Sequence, residues 1–293
     1  MNRLNPAERL GAHVSTRGGV HKAPVRGKAI GATAIQVFTK TPSQWREPAI
    51  ADDSCTAFRQ ECERLQFSSI VAHDSYLINL ASPDPVLSSR SEASFIAELR
   101  RCEAFGIPYL VSHPGNYIDS RNAGLERNAA AYTRCLRAVP GSVTLLLETT
   151  AGCGTSLGST FEELAALRSL IHDDVRHRIA FCADTCHLFS SGYDLVGDYD
   201  GVWRRWHRVL GFESLRCLHL NDSKTPFASC RDRHELIAEG SLGPMPFRRI
   251  MTDPRLARVI KILETPKGDD GVTADRKMLR RLRAYARARQ ATR

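Results

Sequence analysis

The sequence predicts a (β/α)8 barrel, one parallel sheet closed on itself with helices outside. Three observations carry that expectation. Eight short apolar runs recur along the chain, and they lack the polar alternation of a half-exposed strand, as strands covered on both faces do. The segments between them are charge-rich, helical in pattern and long enough for crossover helices. With 293 residues and 42% hydrophobic composition, the chain can bury the core of one such barrel. A doubly wound open sheet is the competing fold, but no G-x-G-x-x-G follows the first run.

Taken in order, the first run is "LGAHVS" at 10–15, with His13 near its end, and the second is "AIQVFT" at 34–39. The third, "SIVAHD" at 69–74, closes on His73, and the fourth, "YLVSHP" at 109–114, on His113. "TLLLET" at 144–149 closes on Glu148, and "IAFCAD" at 179–184 closes on Asp184. "LRCLHL" at 215–220 brings His219, and "IKILET" at 260–265 brings Glu264. From His73 onward these ends lie 35 to 45 residues apart, about one βα unit each. All six side chains then gather at the C-terminal mouth, where barrels of this kind build their active sites. The barrel is expected to occupy residues 1–275 as one domain, with 276–293 a basic C-terminal tail of helical character.

The formal charge of +9 invites a polyanion partner, but the charge is unevenly spread. Eight basic residues and no acid lie between Arg276 and Arg293, and the remaining 33 basic residues face 32 acidic ones. Met278, Leu279, Leu282 and Tyr285 recur at helical spacing in that tail, so it reads as a terminal helix with one docking face. A solvated basic face and a contribution to polyanion binding both fit. The N-terminus lacks the apolar stretch of a signal peptide and no run approaches a membrane span, so a soluble, cytoplasmic protein is expected, and a monomer is the expected state. Nine cysteines without a C-x-x-C pair suit buried reduced thiols better than a disulfide framework or a zinc ribbon.

Histidine nitrogens and carboxylate oxygens gathered at one mouth make ligands for a borderline divalent ion, with zinc favoured by the many nitrogen donors. His187 follows Asp184 by three residues, and Asp232 and His234 are two apart in "SCRDRHEL". On extended backbone such a pair points to one side, so it can close on an ion together with His187. The set is therefore His73, His113, Glu148, Asp184, His187, His219, Asp232, His234 and Glu264, more than one tetrahedral site uses. Two or three ions are implied. His13 faces the same mouth as a supporting residue, whereas His21, His172, His177 and His207 sit in helix-like charged surroundings and read as surface residues. Closely spaced metals clamp a phosphoryl group and activate water, so phosphodiester hydrolysis suits the site best. Trp45, Tyr76 and Leu77 fall on mouth loops in "FTKTPSQWREP" and "HDSYLINLASP", with Lys40 nearby. They can wedge into or stack on bases, and Lys40 can meet a phosphate. Packing of the loops onto the barrel rim is the other reading for Trp45.

Together "GAHVSTRGGV", "AIQVFTKTPSQW", "VAHDSYLINLASP", "HPGNY", "LLLETTAGCGTSLGSTFEEL", "ADTCHLFSSGYDL", "LHLNDSKTPFASCRDRHELIAEGSLG" and "ILETP" resemble the endonuclease IV family of apurinic/apyrimidinic endonucleases. The resemblance runs from about residue 10 to 267. It implies a TIM barrel with three zinc ions that cuts double-stranded DNA 5′ of an abasic site, leaving a 3′-hydroxyl and a 5′-deoxyribose phosphate. It implies that His73, His113 and Glu148 hold one ion, and that Glu148 bridges to a second held by Asp184, His219 and Glu264. The third falls to His187, Asp232 and His234. Glu148 and Glu264 are the candidate catalytic carboxylates, and a hydroxide between the first two ions would attack the phosphate. The chain departs from the family at "KTPSQW", where the family's "KNQRQW" inserts an arginine into the duplex and this chain has Ser43 after Pro42. "AGCG" at 151–154 and "IAEG" at 237–240 depart as well, and the basic tail lies outside the resemblance. A metal-dependent sugar isomerase or epimerase would need only Glu148, Asp184, His219 and Glu264. The other five ligands set the chain apart from it, and a complete ligand set argues against a binding-only damage sensor.

Overall fold

In a computed structural model that describes residues 8–288, eight parallel strands close into a barrel. They are β1 (Leu10–His13), β2 (Ala34–Phe38), β3 (Ser69–His73), β4 (Tyr109–Ser112), β5 (Thr144–Glu148), β6 (Ile179–Asp184), β7 (Leu215–His219) and, after a two-stranded hairpin of β8 (Asp222–Ser223) and β9 (His234–Glu235), β10 (Ile260–Leu263). Each barrel strand falls within one of the eight apolar runs. β1 closes the ring, pairing with β2 on one side and β10 on the other. That first contact is tight: a Cβ on Gly11 would collide with the Ala34 carbonyl oxygen, so the position needs glycine.

The interior of the barrel is filled by Ala34, Val71, Val111, Leu146, Ala180, Cys182, Cys217, Ile260 and Ile262, the packed side-chain layers this architecture requires. A larger apolar core lies between strands and helices. The helices are α1 (Lys22–Ala29), α2 (Asp52–Arg64), α3 (Pro85–Phe105), α4 (Arg121–Ala138), α5 (Phe161–Leu170), α6 (Asp173–Arg176), α7 (Thr185–Ser190), α8 (Tyr199–Val209), α9 (Pro244–Ile250) and α10 (Thr273–Ala288). Local chemistry sets their ends. Asp84 caps α3 by accepting from the Val86 and Leu87 amides, Pro85 stands in its first turn, and Gly106 ends it in the left-handed region at φ 71°. Asp198 caps α8 through the Gly201 amide, and Trp203 and Trp206 on that helix are fully buried.

Within the described residues, 276–288 of the basic C-terminal segment belong to the last helix of the barrel. The boundary placed after Asp275 falls inside α10, where Met278, Leu279 and Leu282 are fully buried. Tyr285 packs at the edge of the same face, so the docking face expected from the spacing is present. Several of its cations are engaged by the barrel. Arg276 donates to the Ala29 carbonyl at 2.9 Å, Lys277 Nζ lies 3.0 Å from Glu239, and Arg283 donates to the Gly31 carbonyl. Residues 289–293 of the tail lie outside those described. Among the described residues no helix is long and apolar enough to cross a membrane.

Candidate metal centre

The closing strand residues meet at the mouth. The strand register sets Asp184 beside His219 and aligns His73 with Phe38, so side chains from non-adjacent strands converge on one floor. Among the described residues, His73, His113 and Glu148 bring ligand atoms within 4.8 Å of one another, and Glu148, Asp184, His219 and Glu264 do the same. His187, Asp232 and His234 form a third such group. Glu148 is common to the first two. Two thiol-containing sets lie equally close, Cys182 and Cys217 with His219, and Cys186 with Asp184 and His234.

His187 is placed by a helix start. Asp184 ends β6 and caps α7, accepting from the His187 amide at 2.9 Å, which turns the ring back over the mouth. Asp232 and His234 arrive from the hairpin, and the Asp232 carboxylate lies 3.2 Å from Nε2 of both His187 and His234. Neither buried Nε2 makes a well-aligned hydrogen bond, although both lie within ion-pair distance of Asp232, so the three groups gather around one point. The other ring nitrogens are spoken for. His187 Nδ1 lies 2.8 Å from the Thr149 carbonyl and His73 Nδ1 2.9 Å from the Asp74 carbonyl. A carbonyl only accepts, so each Nδ1 carries a proton, and Nε2 is the nitrogen that can offer a lone pair toward the mouth once the ring is neutral.

Electrostatics point the same way. Burial works against a charge on His73, but the Glu148 carboxylate at 3.2 Å reverses that and lifts its pKa to about 9. Burial likewise opposes a charged His234, and Asp184 and Asp232 raise it to about 9. Glu148 is fully buried, which alone would favour its neutral form, yet His219 and His113 hold it well below the ordinary carboxylate range. Packing this many titratable groups out of water is costly unless each finds a counter-charge. Dications among them would supply it, and the donor set of imidazole and carboxylate suits zinc.

A supporting layer escaped sequence reading. Gln36, fully buried in β2, donates through Nε2 to Glu264 at 2.6 Å, and its Oε1 lies 2.8 Å from His219 Nε2. That bond leaves Nδ1 of His219 facing Glu148 at 2.8 Å. Asn221 donates to Asp184 at 2.6 Å and accepts from the Glu264 amide at 3.0 Å. Ser112 donates to Asp74 at 2.6 Å, beside His73. The one signal in the sequence was a glutamine inside the apolar run "AIQVF". His13 does reach the site, 3.0 Å from Gln36 Nε2 and 3.5 Å from Glu264. Of the histidines read as surface residues, His172, His177 and His207 are exposed and His21 is half-buried.

The mouth holds a cavity of about 480 Å³ bordered by His73, His113, His187, His234 and Glu264, with Phe38 and Tyr76 on its rim. Tyr76 is 68% exposed, edge-on to Phe38, whereas Leu77 is half-buried. Trp45 is also half-buried, and the Arg90 guanidinium sits over its ring, 4.6 Å from the centroid. Lys40 is not a rim residue. It is buried, and its Nζ lies 2.7 Å from Glu47, 2.9 Å from the Gln44 carbonyl and 3.0 Å from Ser94. An ammonium so engaged anchors the loop after β2 onto α3, which corrects its placement as a DNA contact. Cys153 and Cys230 are exposed and the other seven thiols are buried, a departure from the expectation of buried thiols throughout.

A sequence profile of the xylose isomerase-like TIM barrels matches residues 26–282. A probable endonuclease 4 of Geobacter sulfurreducens is 47% identical over 265 residues, covering 89% of each chain. One from Chloroflexus aggregans is 44% identical over 285 residues, 95% of this chain and 98% of the relative. The crystal structure of endonuclease IV from Thermus thermophilus superposes with a TM-score of 0.85 at 35% identity, covering 96% of this chain and 99% of that one. A D-tagatose 3-epimerase-like protein superposes at 0.69 with 14% identity, a likeness of fold alone. With nearly full-length relatives at this level of identity and a barrel that superposes end to end, the chain belongs to the endonuclease IV family, the DNA-repair endonucleases among the xylose isomerase-like TIM barrels.

Proposed function

We propose that the protein hydrolyses the phosphodiester 5′ to an abasic site in double-stranded DNA, leaving a 3′-hydroxyl and a 5′-deoxyribose phosphate, and that it works as a monomer with three zinc ions. The observation that carries this reading is the presence of three ligand groups at one mouth, two of them joined through Glu148. His73, His113 and Glu148 would hold one ion, Glu148, Asp184, His219 and Glu264 a second, and His187, Asp232 and His234 the third. Bound there, zinc supplies Lewis acidity toward the phosphate and lowers the pKa of water, the chemistry that phosphodiester hydrolysis needs.

The chain's own residues do the remaining work. Thr149 and Asp74, through their carbonyls, hold His187 and His73 in the tautomer that presents Nε2 to the mouth. Gln36 and Asn221 fix the carboxylates of Glu264 and Asp184. The rim takes the DNA. Tyr76 offers an exposed ring for stacking and Leu77 a partly exposed apolar side chain. Trp45 and Arg90 form one unit, in which the stacked guanidinium brings a cation to the rim where Ser43 brings none.

A sugar isomerase or epimerase reading uses the second ligand group only. It leaves His187, Asp232 and His234, whose ligand atoms gather at one point, with no task. Incubation with a duplex carrying one tetrahydrofuran abasic analogue tests the proposal. A single cut on the 5′ side, lost on chelation and restored by zinc, is the expected result. An intact duplex alongside epimerised ketose would favour the second reading.

A further inference from the structure

Cys153 and Cys230 are the exposed thiols of this chain, and they meet at the rim of the mouth. Cys153 lies in "AGCG" on the loop after β5, and Cys230 lies in the loop between β8 and β9. The Cys153 Sγ is 2.9 Å from the Cys230 carbonyl oxygen. From the other side, a Cβ placed on Gly152 would lie 3.7 Å from the Cys230 Sγ. Both cysteines border one solvent-open cleft of about 540 Å³ with Asp232 and its flanking arginines, Arg231 and Arg233.

Both backbones are fixed there. The Cys230 amide donates to the Ser190 carbonyl at 2.9 Å and the Ala228 amide to the Phe189 carbonyl at 3.1 Å, which ties that loop to α7. The Ser156 amide closes a turn on the Cys153 carbonyl at 3.0 Å, and the Tyr117 amide holds the Thr155 carbonyl at 3.0 Å. Two anchored loops therefore hold the cysteines side by side, the Cys153 sulfur against the Cys230 backbone and both residues exposed to solvent. Neither sulfur belongs to the three ligand groups assigned above.

We propose that Cys153 and Cys230 form a peroxide-sensitive dithiol, which a hydroperoxide oxidises to an intramolecular disulfide that ties the loop after β5 to the loop carrying Asp232. In the first step a thiolate sulfur attacks the terminal peroxide oxygen. The O–O bond breaks, the alkoxide leaves and takes a proton as an alcohol, and the sulfur becomes a sulfenic acid. In the second step the other thiolate attacks that sulfur. The S–S bond forms and the hydroxyl leaves as water. Two thiols and one hydroperoxide thus give one disulfide, one alcohol and one water; the sulfurs lose two electrons and the peroxide gains them. The cross-link would close a long loop of the chain, with |i−j| of 77, and so would restrict the unfolded state. The proposal does not depend on which reaction the metal centre performs.

The test uses the full-length, zinc-loaded protein and hydrogen peroxide at a small molar excess, followed by alkylation and intact-mass measurement under native and denaturing conditions. The expected product has lost two hydrogens and two alkylatable thiols, yields a cross-linked peptide pair containing Cys153 and Cys230, and reverts with dithiothreitol. Its melting temperature should exceed that of the reduced protein. Cys153→Ser and Cys230→Ser should each abolish the hydrogen loss, and both should keep the melting temperature of the reduced wild type because the positions are exposed. Overoxidation of one cysteine by added oxygens, a cross-link between two chains, or both thiols still alkylatable in wild type would each overturn the proposal.

Discussion

Glu148 has no exposed surface and takes part in two of the three ligand groups. Glu148→Gln keeps its volume and removes its charge. The variant should lose at least one of about three zinc ions and at least 10²-fold in incision rate, whereas His172→Ala, on the exposed face of α6's N-terminus, should lose neither. Elemental analysis beside single-turnover incision reads both. The clustering of these nine metal-competent residues was legible because each is a chemically distinct residue closing an apolar run or sitting two or three residues from another member of the set. Gln36 and Asn221 were not, since neutral amides become informative only when their partners are known. A second expectation belongs to the histidines. His73 and His234 have folded pKa values raised to about 9 from an ordinary 6.5. In the metal-free protein their pairing therefore stabilises fully below about pH 6.5 and fades as pH rises through about 9. Zinc needs the neutral rings, and its binding releases their protons. The melting-temperature gap between zinc-loaded and metal-free protein should widen across that window, and a gap that narrows from pH 6.5 to 9 would contradict the assignment.

The loop after β2 illustrates what a single element hides from sequence. Lys40 sits in "KTPSQW" and reads as a surface cation. In the fold α3 presents Ser94, Glu98 and Arg101 from its buried face, and Arg101 Nη1 lies 2.6 Å from Glu47. That tertiary network draws Lys40 inward, and Ser75 donates to the Pro42 carbonyl at 2.6 Å, pinning the loop to its neighbour. A loop held at both places positions Trp45 and leaves Ser43 exposed. On the proposed function, duplex opening would then fall to the loop after β3. Tyr76→Ala should weaken binding to abasic duplex by about 1 to 3 kcal/mol, the scale of one lost stacking contact, with zinc content unchanged. Leu77→Ala should cost less because the side chain is already half-buried. Fluorescence anisotropy checks both, and wild-type affinity in both variants would move the wedge to another loop. The basic segment was legible as a helix with an apolar face, because its 3.6-residue spacing is local. Its membership of the barrel was not, because the partners that engage Arg276, Lys277 and Arg283 come from distant loops. With those cations engaged by the barrel, replacing the exposed Arg280 and Arg287 by Gln should leave the slope of log affinity against log salt within about 0.9, one phosphate contact, of wild type.

At the scale of the molecule, the barrel was readable because a parallel strand buried on both faces leaves a continuous apolar run, and because βα units repeat at nearly even spacing. The β8–β9 hairpin was not readable: its strands have two residues each, too short for any period. Closure of the sheet converts a spacing along the chain into a ring in space. It brings Glu148 of β5 to His219 of β7, 71 positions apart, at 2.8 Å. The proposed function requires this ring to work as one trinuclear centre. Stepwise addition of zinc to the chelated, metal-free protein, with incision of a single-abasic-site duplex measured at each addition, tests it most directly. Incision should rise to a plateau only as occupancy reaches about three ions per chain, with little activity at one. Full activity at one ion per chain, or three bound ions with no incision, would contradict it.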